Sequence, residues 1–113
     1  MPVANCLLGP SCPTQPGDPD ELINAWAALS GQDQSEKTVN LMWAQAQAGR
    51  PYAVIATLVL PDLWPPTKVS LLQNGLAGAL ASYLEVPVTE VLVTTQMVAS
   101  GHVVDGGDQV AWC

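Results

Sequence analysis

Few residues of this chain carry reactive groups, and their spacing narrows the chemistry they could perform. Cys6, Cys12 and Cys113 are an odd number of thiols without metal-ligand spacing, and His102 is the lone histidine. Neither a zinc centre nor a disulfide framework fits that pattern. Cys6 falls in an apolar run and reads as a small buried hydrophobe. Cys12 falls in a Pro-rich loop, where a reactive thiol is conceivable but nothing nearby would activate it. His102 occupies a turn and reads as a surface or hydrogen-bonded structural residue. Gly106-Gly107 has neither a following helix nor a lysine, so a hairpin or bulge explains it better than a phosphate loop. The cations are Lys37, Arg50 and Lys68, against ten carboxylates. No cofactor and no metal is expected.

The net charge of −7 makes nucleic acid and anionic membranes poor partners. Residues 53–60 are apolar except for Thr57, far short of the roughly 20 residues that span a bilayer. The start, MPVANCLLGPSC, lacks a basic region and is broken by Pro10, so no secretory signal is expected and a cytoplasmic location follows. At 113 residues the chain is expected to form one domain, 1–113. Hydrophobic residues make up 49% and charged ones 12%, too little charge for the surface of a monomer. Area buried between subunits is the expected remedy.

The elements that must position these residues are marked by periodicity and punctuation. Residues 2–8 suit a buried strand, and GPSCPTQPGDPD suits a loop. Asp18 as N-cap, Pro19 at N1 and Glu21 at N3 predict a capping box. The helix that follows would bury Leu22, Ile23, Trp26 and Leu29 and stop at Gly31. Strands are expected from about Thr38 to Ala46 and from Tyr52 to Leu60. A second helix is marked by Val69, Leu72, Leu76, Leu80 and Tyr83, with Gly75 and Gly78 attributed to close packing on the sheet. Val86 and Pro87 end it, and Glu90 to Val98 forms a fourth strand before the loop SGHVVDGGD. Trp26, Trp43, Trp64 and Trp112 are expected to fill core and interface, with Trp64 and Trp112 available to line a pocket.

The order is βαββαβ, an α/β (α+β) pattern with a faint internal repeat. An offset of 52 residues overlays Pro2–Leu8 on Val54–Leu60 and TVNLMWAQAQAGR on EVLVTTQMVASGH. Two βαβ units, about 2–50 and 52–113, are therefore expected, each right-handed with parallel strands. They would share one four-stranded sheet with two helices on one face.

From Leu84 to Ala111 the run LEVPVTEVLVTTQMVASGHVVDGGDQVA resembles the closing half of a 4-oxalocrotonate tautomerase subunit. The shared features are a helix end, a proline turn, an alternating strand, Gly-His and a Gly-Gly pair. The double-length chain is similar to macrophage migration inhibitory factor and its bacterial relatives. The resemblance implies a homotrimer with a barrel-like arrangement of sheets. It also implies that Pro2, exposed when Met1 is removed, is a general base acting without cofactor on a small enolisable carbonyl or carboxylate. An α-amino group titrates at about 7.7 to 8.0, and an apolar wall or a cation lowers that further.

This chain departs from the family at the substrate. The positions of its carboxylate-binding arginines correspond to Cys12 or Trp64 and to Asn40 or Leu92. The aromatic after Gly-His is Val103, or Pro51 in the first unit. The pocket tyrosine and asparagine of the inhibitory factor correspond to Leu92 and Thr94. Because βαβ strands run parallel, Lys37 at the start of the second strand is the expected cation beside Pro2. Arg50 lies at the opposite end and would reach a pocket only across an interface. Leu60, Leu92, Thr94 and Val103 complete the expected substrate wall. Two alternatives share the pattern. One is a ferredoxin-like effector-binding domain with antiparallel strands, and the other is a catalytically silent tautomerase-fold scaffold.

Overall fold

The structure, a computed structural model, describes residues 2–12, 16–32 and 36–112. Met1 and Cys113 lie outside the described residues. Strand β1 (Val3–Leu8) alternates as its sequence requires, sending Ala4, Cys6 and Leu8 into the core and Val3, Asn5 and Leu7 to the other face.

Helix α1 (Pro19–Ser30) starts where Asp18 Oδ1 accepts the Asp20 N–H at 3.0 Å. The Asp18 side chain thus caps the second helical residue, while Glu21 N–H goes to the Asp18 carbonyl. Gly31, at φ 71°, ends the helix by donating to the Ala27 carbonyl. Leu22 and Trp26 are fully buried, but Leu29 is 54% exposed and Ser30 is buried in its place. The inward face is rotated because α1 also packs against the second helix, whose Gly75 leaves room for Ser30.

Strands β2 (Thr38–Trp43) and β3 (Val54–Pro61) follow. β2 stops three residues before the expected Ala46, after its last bond to β1, from Ala44 N to the Leu8 carbonyl. Helix α2 (Pro66–Leu84) buries Leu72, Leu76 and Leu80 against the sheet. Gly75 and Gly78 face α1 and not the sheet, which corrects the expectation. A Cβ on Gly75 would stand 3.0 Å from the Ser30 nitrogen, and one on Gly78 would stand 3.3 Å from Leu29 Cδ1. After a short 3-10 turn, β4 (Val91–Val98) completes the main sheet. The expected loop then forms a hairpin, β5 (Val103–Asp105) and β6 (Asp108–Val110), because Gly106 and Gly107 both take positive φ.

The main sheet has the order β2-β1-β3-β4. The outer pairs β1–β2 and β3–β4 are parallel and the central pair is antiparallel, which excludes the ferredoxin-like alternative. Val3 faces Thr38, 35 residues on, whereas Val54 faces Val91, 37 residues on. The 52-residue offset therefore keeps every side chain on its face but not both registers, since a two-residue slip preserves the alternation. Both helices cover one face. The other carries a row Asn40–Asn5–Thr57–Thr94 across all four strands, in which Asn40 Nδ2 donates to Asn5 Oδ1 at 2.8 Å. None of the four strands contains a charged residue. Among the described residues, no helix is long and apolar enough to cross a membrane.

Candidate functional site

The pairing directions bring the starts of β1 and β2 and the ends of β3 and β4 to one end of the sheet. Pro2 lies there, buried, its carbonyl accepting the Thr38 N–H at 3.0 Å. Asp62 N–H donates to the Val98 carbonyl at 2.9 Å on the other side of this end. The tail returns here as well, Trp112 Nε1 donating to Asp62 Oδ1 at 2.8 Å.

Lys37 immediately precedes Thr38, so its backbone stands beside Pro2 as the parallel strands require. Its side chain is not a solvated surface lysine. It is only 8% exposed, and its Nζ lies 5.4 Å from the centre of the Trp26 ring. Arg50 lies at the far end, stacked 5.1 Å from the Tyr52 ring. Lys68 Nζ sits 4.1 Å from the Trp64 ring, so every cation of the chain rests on an aromatic face.

A cavity of about 630 Å³ opens on the outer side of the Pro2 end, lined by Val3, Glu36, Thr38, Val103, Val104, Asp105 and Val110. Pro2 stands directly behind Val3 and is not among the lining residues. Val103 thus stands at the Pro2 end. Leu60 does not line it from outside, being fully buried in the core cluster. Its place on the inward face of β3, set by alternation with Leu58, takes it out of a substrate wall. Leu92 pairs with Ile55, which pairs with Leu7, so Leu92 lies towards the far end, and Thr94 sits mid-sheet beside Thr57. Within one chain neither meets Pro2.

Sequence reasoning missed Glu36 and Asp105, the carboxylates of the cavity. The available signal was adjacency, since Glu36 precedes Lys37 and Asp105 follows Val103 by the two-residue strand period. A second cavity, about 440 Å³, runs along the start of α2 past Pro66, Thr67, Ser70, Leu71 and Asn74, with no ionisable side chain in its wall. Cys6 is buried, and burial pushes its thiol up to about 12, which makes it a poor nucleophile. Cys12 is buried too. Among the described residues, no group of three or more His, Cys, Asp or Glu is arranged to hold a metal ion.

No family model matches the chain, and no curated protein matches it in sequence. Its fold has many solved counterparts. One is the R7 fused 4-OT wild-type asymmetric trimer, 17% identical at a TM-score of 0.74, with 95% of this chain and 94% of that chain covered. A second is Pt0534 inactivated by 2-oxo-3-pentynoate, 11% identical at 0.70, covering 96% and 94%. A third is macrophage migration inhibitory factor from Oncomelania hupensis, 16% identical at 0.69, covering 97% and 83%. The likeness runs through the whole chain and establishes the architecture: the fold shared by fused 4-OT and macrophage migration inhibitory factor.

Proposed function

We propose that a chain with this fold is an isomerase-like enzyme, a homotrimer that uses Pro2 as general base in the keto-enol tautomerisation of a small carbonyl substrate. The observation that carries the reading is the full-length likeness to fused 4-OT chains described as trimers, combined with a Met-Pro start at the sheet end where Lys37 also lies. A cytoplasmic location accords with the same reading.

Removal of Met1 turns the Pro2 nitrogen from an amide into a secondary amine. Against the opposing pull of Glu36 and Asp105 in the adjoining cavity, burial of Pro2 and the Lys37 charge disfavour the protonated amine and so help to free the base. It takes the proton from an enol hydroxyl and returns it to the adjacent carbon, with no other group consumed. The sheet supplies the trimer surface: its edge strands β2 and β4 have no further strand partner among the described residues, and none of the four strands bears a charge.

The deciding experiment is intact mass spectrometry of the protein from its native host, followed by assay with several enolisable carbonyls, some neutral and one, phenylenolpyruvate, carrying a carboxylate. The trimmed protein should turn over, while Pro2→Ala and a form that keeps Met1 should lose most of the rate. A second reading, a catalytically silent scaffold on this fold, is favoured by the burial of Pro2 and by a cavity wall without a cation. No turnover by any of the three across several enolisable carbonyls would establish it instead, and equal turnover by all three would remove Pro2 as the base.

A further inference from the structure

The cavity beside Pro2 has an unusual wall for a site that would take an acid. Val3, Val103, Val104 and Val110 give it apolar sides, and its ionisable residues are Glu36 and Asp105. None of the three cations lines it. Lys37 is turned onto Trp26, Lys68 onto Trp64, and Arg50 is at the far end on Tyr52. Lys37 and Glu36 each make contacts of their own as well.

We propose that the substrate of this site is an uncharged or cationic carbonyl compound, and that Glu36 and Asp105 turn carboxylate-bearing compounds away. The inference rests on the reading of Pro2 as a reactive amine. A carboxylate entering the cavity would exchange water for valine side chains while approaching two like charges, on a protein that is already at −7. A neutral ketone keeps the apolar contacts without that repulsion. An ammonium group on the substrate would gain a pairing with the Asp105 carboxylate.

The test uses two matched alkynones, 2-oxo-3-pentynoate and its neutral counterpart 3-pentyn-2-one. In each, the lone pair of the Pro2 amine forms a bond to the β-carbon. One π pair of the alkyne moves to the enolate, and the proton lost from nitrogen ends on the α-carbon. Nothing leaves, so the protein gains the whole mass of the probe at Pro2. Rates measured by mass spectrometry are divided by those for prolinamide in solution, which removes the intrinsic reactivity of each probe. The neutral ketone should then be favoured by about tenfold or more, the lower range of electrostatic effects on encounter. Raising salt from about 20 mM to about 300 mM should speed the carboxylate probe alone, because screening shortens from roughly 20 Å to under 10 Å. Glu36→Gln with Asp105→Asn should narrow the preference, with the melting curve checking the fold. A carboxylate preference, or a preference insensitive to both salt and the double substitution, overturns the substrate class while leaving the proline reading intact. Labelling of Pro2 by neither probe in the trimmed protein removes both.

Discussion

The Lys37 ammonium lies 5.4 Å from the centre of the Trp26 ring, and the Trp26 indole N–H is donated to the Leu72 carbonyl at 2.9 Å. One tryptophan therefore ties the start of β2, helix α1 and helix α2 together beneath the sheet end that holds Pro2. Lys37 is kept close to Pro2 by register and nearly dry by the ring.

The first expected consequence is a pH effect. A cation near the Pro2 amine lowers its pKa, so the rate rises with pH through that lowered value. Lys37→Ala should move the lower limb of the pH-rate profile of the trimmed protein to higher pH. An unshifted limb would show that Lys37 exerts no charge effect on the base.

Trp26→Phe keeps an aromatic face but removes the indole bond to the Leu72 carbonyl, which lies in the interior of α2 and still accepts within the helix, and should cost about 0.5–1.5 kcal/mol of stability. Trp26→Ala should cost about 3–5 kcal/mol through the added cavity. Urea melts of both variants check the order; a Trp26→Phe variant as stable as the wild type would mean that the indole hydrogen bond contributes nothing.

The helix crossing makes a contrasting pair. Alanine is the better helix former by about 1 kcal/mol, yet a Cβ on Gly75 would meet the Ser30 backbone nitrogen at 3.0 Å. Gly75→Ala should therefore destabilise by about 1–3 kcal/mol. Gly78→Ala meets only the tip of the exposed Leu29 side chain at 3.3 Å, which has room to turn aside, and should be neutral or stabilising. Thermal melts of the two variants that moved in the same direction would contradict this packing.

Burial raises the Cys6 thiol from an ordinary 9.0 to about 12. Below the lower value folded and unfolded chains both hold the proton, and the contribution of this group to stability is complete. Between the two values only the unfolded chain releases it, so stability should fall as pH rises from about 9 towards 12. Cys6→Ala, although less stable throughout because of its cavity, should show a shallower decline of Tm in that window. An identical slope would mean that the thiol ionises equally in both states.

Thr94 and Asn40 lie exposed on the two edge strands of the uncharged face. Thr94→Lys or Asn40→Lys should leave the monomer fold intact by circular dichroism and reduce the assembly towards the 11.8 kDa of one chain by light scattering. A wild-type protein already monomeric at micromolar concentration would refute the trimer itself.

The order of elements and the face of each strand residue were legible in the sequence because both rest on short-range rules. Asp18 and Gly31 bound α1 through their own backbone chemistry, and alternation alone sends Ala4, Cys6 and Leu8 inward. The parallel βαβ reading also placed Lys37 beside Pro2, because direction within such a unit is fixed by the handedness of its crossover. What remained undetermined depends on contacts between distant segments. Gly75 meets Ser30 and not the sheet, the two strand pairs differ in register by two residues, and Lys37 turns onto a ring eleven residues earlier. Glu36 and Asp105 face one cavity only because the terminal hairpin folds back to the start of β2. No local period encodes that approach, so the charge of the site was decided by the tertiary structure alone.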